Sequence, residues 1–119
     1  MDTVLLVEDD PAVADITSMV LEDAGYEVLC ASDAKDAQAL ASSRQDIDVV
    51  LTDVNLRAGA DGLALVQGLR DGGLEAAVVV MSGDLSWASK VDRSIRFLAK
   101  PYGTHELLTL IAQACEKKH

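Results

Sequence analysis

The sequence predicts an α/β domain: a five-stranded parallel sheet, doubly wound, with helices on both faces in three layers. Three observations predict it. Short apolar runs alternate with longer segments of helical spacing. The runs are apolar almost throughout rather than alternately apolar and polar, the pattern of strands covered on both faces. The residues that follow the runs are acids, a serine and a lysine, which a strand–helix alternation gathers on one edge of the sheet.

The elements follow in order. "TVLLV" (3–7) is the first strand, and it ends in Glu8, Asp9 and Asp10. Asp10 directly precedes Pro11, which suits a helix N-cap with proline at the first helical position. Residues 11–24 place Val13, Ile16 and Val20 on one helical face, and Gly25 is the stop signal. "YEVLCA" (26–31) is the second strand. Residues 33–43 bring Ala37, Leu40 and Ala41 together in a second helix. "DVVLT" (48–52) is the third strand, followed by Asp53. Residues 62–72 align Leu65, Val66 and Leu69 and end in two glycines. "AAVVVM" (76–81) is the fourth strand, followed by Ser82. The polar segment "GDLSWASKVDRS" then has room for a turn or two of helix. "RFLA" (96–99) is the fifth strand, followed by Lys100. Residues 104–117 align Leu107, Ile111 and Ala114 in the last helix.

The 119 residues suit one domain. Acids outnumber Lys and Arg by 20 to 10, and the formal net charge of -10 argues against direct contact with nucleic acid or an anionic membrane surface. A cation or a basic partner surface suits it better. The apolar runs are too short to span a bilayer, and the first residues lack the basic start of a signal peptide, so a cytoplasmic location is expected. Cys30 and Cys115 sit in apolar patterns and read as reduced core thiols, with a disulfide as the alternative. With His105 and His119 they form no zinc-ligand spacing.

Glu8, Asp9 and Asp53 should converge at the carboxyl ends of the strands. Unpaired, three carboxylates repel and raise one another's pKa. A hard divalent cation resolves this, and an oxygen-only site suits Mg2+. Lys100 adds a compact positive charge and Ser82 a hydroxyl, both suited to phosphate oxygens. Together these groups form a phosphoryl-transfer constellation with Asp53 as nucleophile. Each residue alone has a plainer reading: a solvated acidic strand end for Glu8 and Asp9, a surface lysine, a turn serine before Gly83. Trp87 reads as packing for the short helix, with a partner surface as the alternative. Tyr102 reads equally as core edge or interface.

"LLVEDDP", "LTDVNL", "VVMSG" and "FLAKPY" resemble, in order, spacing and strand position, the signature segments of receiver domains of two-component response regulators. The resemblance spans the whole chain. It implies a CheY-like, flavodoxin-like fold with strand order 2-1-3-4-5. It implies that Asp53 accepts a phosphoryl group from a sensor histidine kinase, a histidine phosphotransfer protein or a small donor such as acetyl phosphate. Asp9 matches the acid that binds Mg2+ directly, Glu8 the acid that acts through water, and Asn55 the position whose backbone carbonyl completes the metal site. The Asn55 side chain and Asp84 match positions that tune hydrolysis of the acyl phosphate. Ser82 matches the hydroxyl that moves to the phosphoryl group, Lys100 the lysine that pairs with it, and Phe97 the rotating aromatic switch. The Lys100–Pro101 bond matches one that is cis in the family. The expected output is a change in the face formed by the fourth helix, fifth strand and fifth helix, read by a protein partner.

Two segments depart from the family pattern. Arg57 stands where a proline is usual, and "RAGA" lengthens the loop after Asp53. The interval from Ser82 to Lys100 is short, so the fourth helix is shortened and the usual dimer through that face is disfavoured. A monomer or weak dimer is expected. Residues 1–119 read as a single receiver domain with no effector domain. Met1 and the near-minimal length favour a stand-alone regulator; the alternative is a receiver cut from a hybrid histidine kinase or a longer regulator. A magnesium-dependent phosphatase with an aspartyl-phosphate intermediate is a rival, but it needs a second acid where Asn55 stands. A flavodoxin-like electron carrier is disfavoured because the three acids would repel FMN phosphate.

Overall fold

The computed structural model describes residues 2–56, 61–84, 86 and 94–118. Five strands, β1 (Thr3–Val7), β2 (Glu27–Ala31), β3 (Val49–Asp53), β4 (Ala77–Ser82) and β5 (Ile95–Ala99), form one sheet in the order β2-β1-β3-β4-β5. All four pairings are parallel, with register partners such as Leu5 to Val50 and Val80 to Phe97. The helices are α1 (Pro11–Asp23), α2 (Ala34–Ser43), α3 (Gly62–Asp71) and α4 (Thr104–Lys118), the last being the helix expected after the fifth strand. The short helix expected between β4 and β5, Trp87 within it, and the "RAGA" loop with Arg57 lie outside the described residues.

Strand alternation builds two cores. Leu5, Val7, Val50, Val78 and Val80 face α2 and α3, where Ala37, Leu65, Val66 and Leu69 meet them. Val4, Leu6, Val49, Leu51, Val79 and Met81 face the other way, onto Leu21 of α1 and Leu107, Ile111 and Ala114 of α4. Both faces of β1, β3 and β4 are covered, which is why these strands read as unbroken apolar runs. The expected stripes of α2, α3 and α4 face the sheet as read. Asp10 caps α1, accepting from the Ala12 and Val13 N–H groups, with Pro11 opening the helix.

Two expectations are corrected. Ile16 does not face the core: it is 64% exposed, and Thr17 and Leu21 are the buried residues of α1. The helix carries apolar residues on two adjacent stripes, and the sheet takes the one holding Ala14, Thr17 and Leu21. Cys30 is exposed rather than core, because β2 is the sheet's edge. Its Sγ lies 3.0 Å from the Ser18 hydroxyl. Cys115 is buried, and burial with nearby Asp2 pushes its thiol up to about 12. Both cysteines are free.

Candidate phosphoryl-transfer site

Four strands deliver the site. Glu8 follows β1, Asp53 ends β3, Ser82 ends β4 and Lys100 follows β5. With all strands parallel, these positions share one edge, where they line a cleft of about 290 Å³ together with Asp9, Asn55 and Gly83. The residues predicted to meet there do so.

Lys100 is the hub. Its Nζ is in hydrogen-bond contact with Asp53 Oδ1 and lies 3.7 Å from Glu8 Oε2. The second separation is a charge contact, too long for a hydrogen bond. Glu8 Oε2 is therefore buried without a hydrogen-bond partner, while Glu8 Oε1 accepts from the Asp10 N–H at 3.2 Å. One carboxylate oxygen from each of Glu8, Asp9 and Asp53 falls within 4.8 Å of the others.

The electrostatics follow from burial. Glu8 is 4% exposed, and desolvation, then the neighbouring Asp53 carboxylate, push its pKa up to about 7 against the opposing pull of the Asp10 N–H and Lys100. Burial pulls the Lys100 ammonium down, but its hydrogen bond and charge contact with Asp53, and the charge of Glu8, outweigh this and raise it. One ammonium, that of Lys100, meets the two buried carboxylates of Glu8 and Asp53. An oxygen-only donor set with an orphaned buried oxygen fits a hard divalent cation such as Mg2+.

The remaining predicted residues border this centre. Ser82 is 5% exposed, and its Oγ accepts from the Asp84 N–H at 3.0 Å. Asp84 Oδ1 accepts in turn from the Ser86 N–H. Asn55 is exposed and pairs through its backbone with Asp61 in an isolated antiparallel bridge. Phe97 is half-buried on the α2–α3 side of the sheet. The Lys100–Pro101 bond is cis.

Three features escaped the sequence. Thr52 Oγ1 donates to the Asp53 carbonyl at 2.9 Å. Gly62 packs its Cα onto that same carbonyl, where an added Cβ would lie 2.0 Å from the oxygen. The "DG" that opens α3 was its signal. The Thr17 hydroxyl lies 3.1 Å from the Tyr102 hydroxyl, which places Tyr102 at the core edge; neither residue carries a local signal for that contact.

The family model described as "Response regulator receiver domain" matches residues 4–112. The chain is 32% identical to the transcriptional regulatory protein AruR of Pseudomonas aeruginosa over 117 residues, covering 89% of this chain and 46% of AruR. It is 32% identical to RpaA of Synechocystis, a DNA-binding dual master transcriptional regulator, covering 93% of this chain and 48% of RpaA. It thus spans about half the length of these relatives. The crystal structure of the receiver domain from hybrid histidine kinase CckA superposes with a TM-score of 0.82 at 31% identity, covering 95% of this chain and 98% of that one. The chain belongs to the receiver-domain family of two-component response regulators.

Proposed function

We propose that Asp53 accepts a phosphoryl group from a sensor histidine kinase, a histidine phosphotransfer protein or a small acyl phosphate. The observation that carries this reading is the contact of Lys100 with Asp53 inside the buried acid cluster. Glu8, Asp9, Asp53 and the backbone carbonyl of Asn55 would hold Mg2+. When bound, the cation neutralises the carboxylates and the phosphate oxygens that approach them.

An Asp53 carboxylate oxygen attacks phosphorus and forms the new P–O bond. The bond from phosphorus to the donor's imidazole nitrogen, or to the acetate oxygen, breaks, and the imidazole or acetate departs with its electron pair. Lys100 already touches the nucleophile, so a rotation of its side chain carries the ammonium to a phosphoryl oxygen. The Ser82 hydroxyl accepts from Asp84 and keeps its own proton to donate to the phosphoryl group. Asn55 and Asp84 flank the bond that hydrolysis must break and tune its lifetime.

The product adds nearly two negative charges at the sheet edge. Ser82 and Lys100 are drawn toward them, and Phe97 turns into the space that Ser82 leaves. That shifts the surface around β5 and α4 and alters the docking of a protein target. The outer face of α1 exposes Ile16 and Met19, 64% and 62% exposed, as an apolar contact for the donor protein. Asp15 and Asp23 on the same helix favour basic flanks on that partner.

Intact mass after incubation with acetyl phosphate and Mg2+ tests the reading. One phosphoryl adduct is expected in the wild type, and none without metal or in Asp53→Asn. An adduct of equal yield in Asp53→Asn would overturn the assignment.

A further inference from the structure

We propose that Thr17 and Tyr102 are positioning residues for phosphoryl transfer, their side-chain hydrogen bond bracing Lys100 against the loop that carries the acids. The inference rests on the reading of Asp53 as the phosphoryl acceptor.

The need for a brace comes from the sheet order. Glu8 and Asp9 follow β1, and Lys100 follows β5, but β3 and β4 lie between them. The two backbones are therefore roughly 14 Å apart, three strand spacings. No ladder hydrogen bond links β1 directly to β5, so their separation is not fixed by direct pairing. Lys100 nevertheless has to deliver its ammonium to Asp53 and to a phosphoryl group seated beside Glu8 and Asp9.

Thr17 and Tyr102 join these two loops by another route. Asp10 caps α1 and Pro11 begins it, so α1 is a stiff continuation of the acid loop. Thr17 lies on the inward face of α1 at 4% exposure, and its Oγ1 is 3.1 Å from the Tyr102 hydroxyl. Tyr102 is two residues beyond Lys100, and its ring packs on the core shared by α1 and α4. The result is a closed ring: acid loop, α1, Thr17, Tyr102, Pro101, Lys100, and back to Asp53 and Glu8 through the ammonium.

The choice of residues supports a specific role. An inward position four residues before Leu21 suits an aliphatic side chain, which would pack without needing a partner. Threonine brings a hydroxyl that is costly to bury unsatisfied. Tyr102 satisfies it across 85 residues of sequence. Phenylalanine would fill the same volume as Tyr102 without the bond.

Loss of the brace leaves the acids in place and frees the turn that carries Lys100. Small misplacements of a group that acts on the reacting atoms slow the step far more than they weaken ground-state binding. The rate of Asp53 phosphorylation at saturating donor should therefore fall, while Mg2+ affinity stays.

The test compares wild type with Tyr102→Phe, Thr17→Val, Thr17→Ser and the Tyr102→Phe/Thr17→Val double variant. Acetyl phosphate and Mg2+ are the probes, with intact mass for rate and calorimetry for Mg2+. The expected result is a fall of about three- to tenfold in the saturating rate for Tyr102→Phe and for Thr17→Val, the rate equivalent of one neutral hydrogen bond. The double variant should be no slower than the slower single one, because both remove the same bond. Thr17→Ser keeps the hydroxyl and should restore the rate to within about twofold of wild type. Half-saturating donor and Mg2+ affinity should not change. Urea unfolding checks that each variant folds; if Thr17→Val does not, Tyr102→Phe, which loses one oxygen atom, carries the test. Wild-type rates in folded Tyr102→Phe, or additive losses in the double variant, would overturn the proposal. A wild type that takes no adduct would instead remove the Asp53 reading, and this proposal with it.

Discussion

Glu8→Gln isolates the electrostatic strain of the site. The Glu8 carboxyl is 4% exposed, and its pKa rises from 4.5 to about 7 in the metal-free fold. The folded state therefore holds its proton to higher pH than the unfolded chain does. Stability falls as pH rises through that window, because the unfolded chain ionises first. At about 1.4 kcal/mol for each pH unit between the two values, the wild type loses about 3 kcal/mol between pH 4.5 and 8 on account of this group. Glutamine keeps the size of the side chain and an oxygen to accept from the Asp10 N–H, but does not titrate. The assay is urea unfolding in EDTA at pH 5 and pH 8 for both proteins. The stability of Glu8→Gln relative to wild type should increase by about 2.5 kcal/mol from the lower to the higher pH, a shift of about 1.3 M in midpoint at a slope of about 2 kcal/mol per molar. Excess Mg2+ should stabilise the wild type more at pH 8 than at pH 5, since the cation competes with the proton on Glu8. Identical pH dependence in the two proteins would refute the reasoning, for it would mean that Glu8 is ionised in the metal-free fold.

Other perturbations have expected outcomes. Lys100→Met removes the ammonium that faces two buried carboxylates; metal-free stability at pH 8 should fall by about 1–3 kcal/mol in urea unfolding, and Mg2+ should recover part of it. Gly62→Ala drives a Cβ to 2.0 Å from the Asp53 carbonyl oxygen and 3.1 Å from Val54 Cα, both backbone atoms, so α3 must move away from Asp53. Urea unfolding should show a loss of about 3 kcal/mol, and the phosphorylation rate should drop with it. Leu51→Ala, at a fully buried position in the centre of the sheet, should cost about 3–5 kcal/mol in the same assay and leave the pH dependence unchanged.

The strand–helix order and four site positions were legible because both are local. Continuous apolar runs report burial on both faces, and the residue after each run reports what reaches the edge. Asp10 and Pro11 likewise carry their own cap signal. What was illegible is relational. The rotation of α1 depends on which of two apolar stripes meets the sheet, and Ile16 against Thr17 cannot be decided from either residue. The exposure of Cys30 is not written in "EVLCA" itself; it follows from β2 being an edge, which the expected strand order implied but the apolar pattern around Cys30 masked. The close approach of Gly62 to Asp53, and the bond from Thr17 to Tyr102, depend on elements far apart in the chain.

The central claim is that Asp53 is a phosphoryl acceptor whose seat is completed by a divalent cation. Beryllofluoride, which mimics a phosphoryl group on a carboxylate, tests it without donor turnover or hydrolysis. Fluorine NMR should show bound resonances when wild type, beryllofluoride and Mg2+ are mixed, with none in EDTA and none in Asp53→Asn. Bound resonances that persist in EDTA or in Asp53→Asn, or their absence from the wild type with saturating Mg2+, would contradict the account.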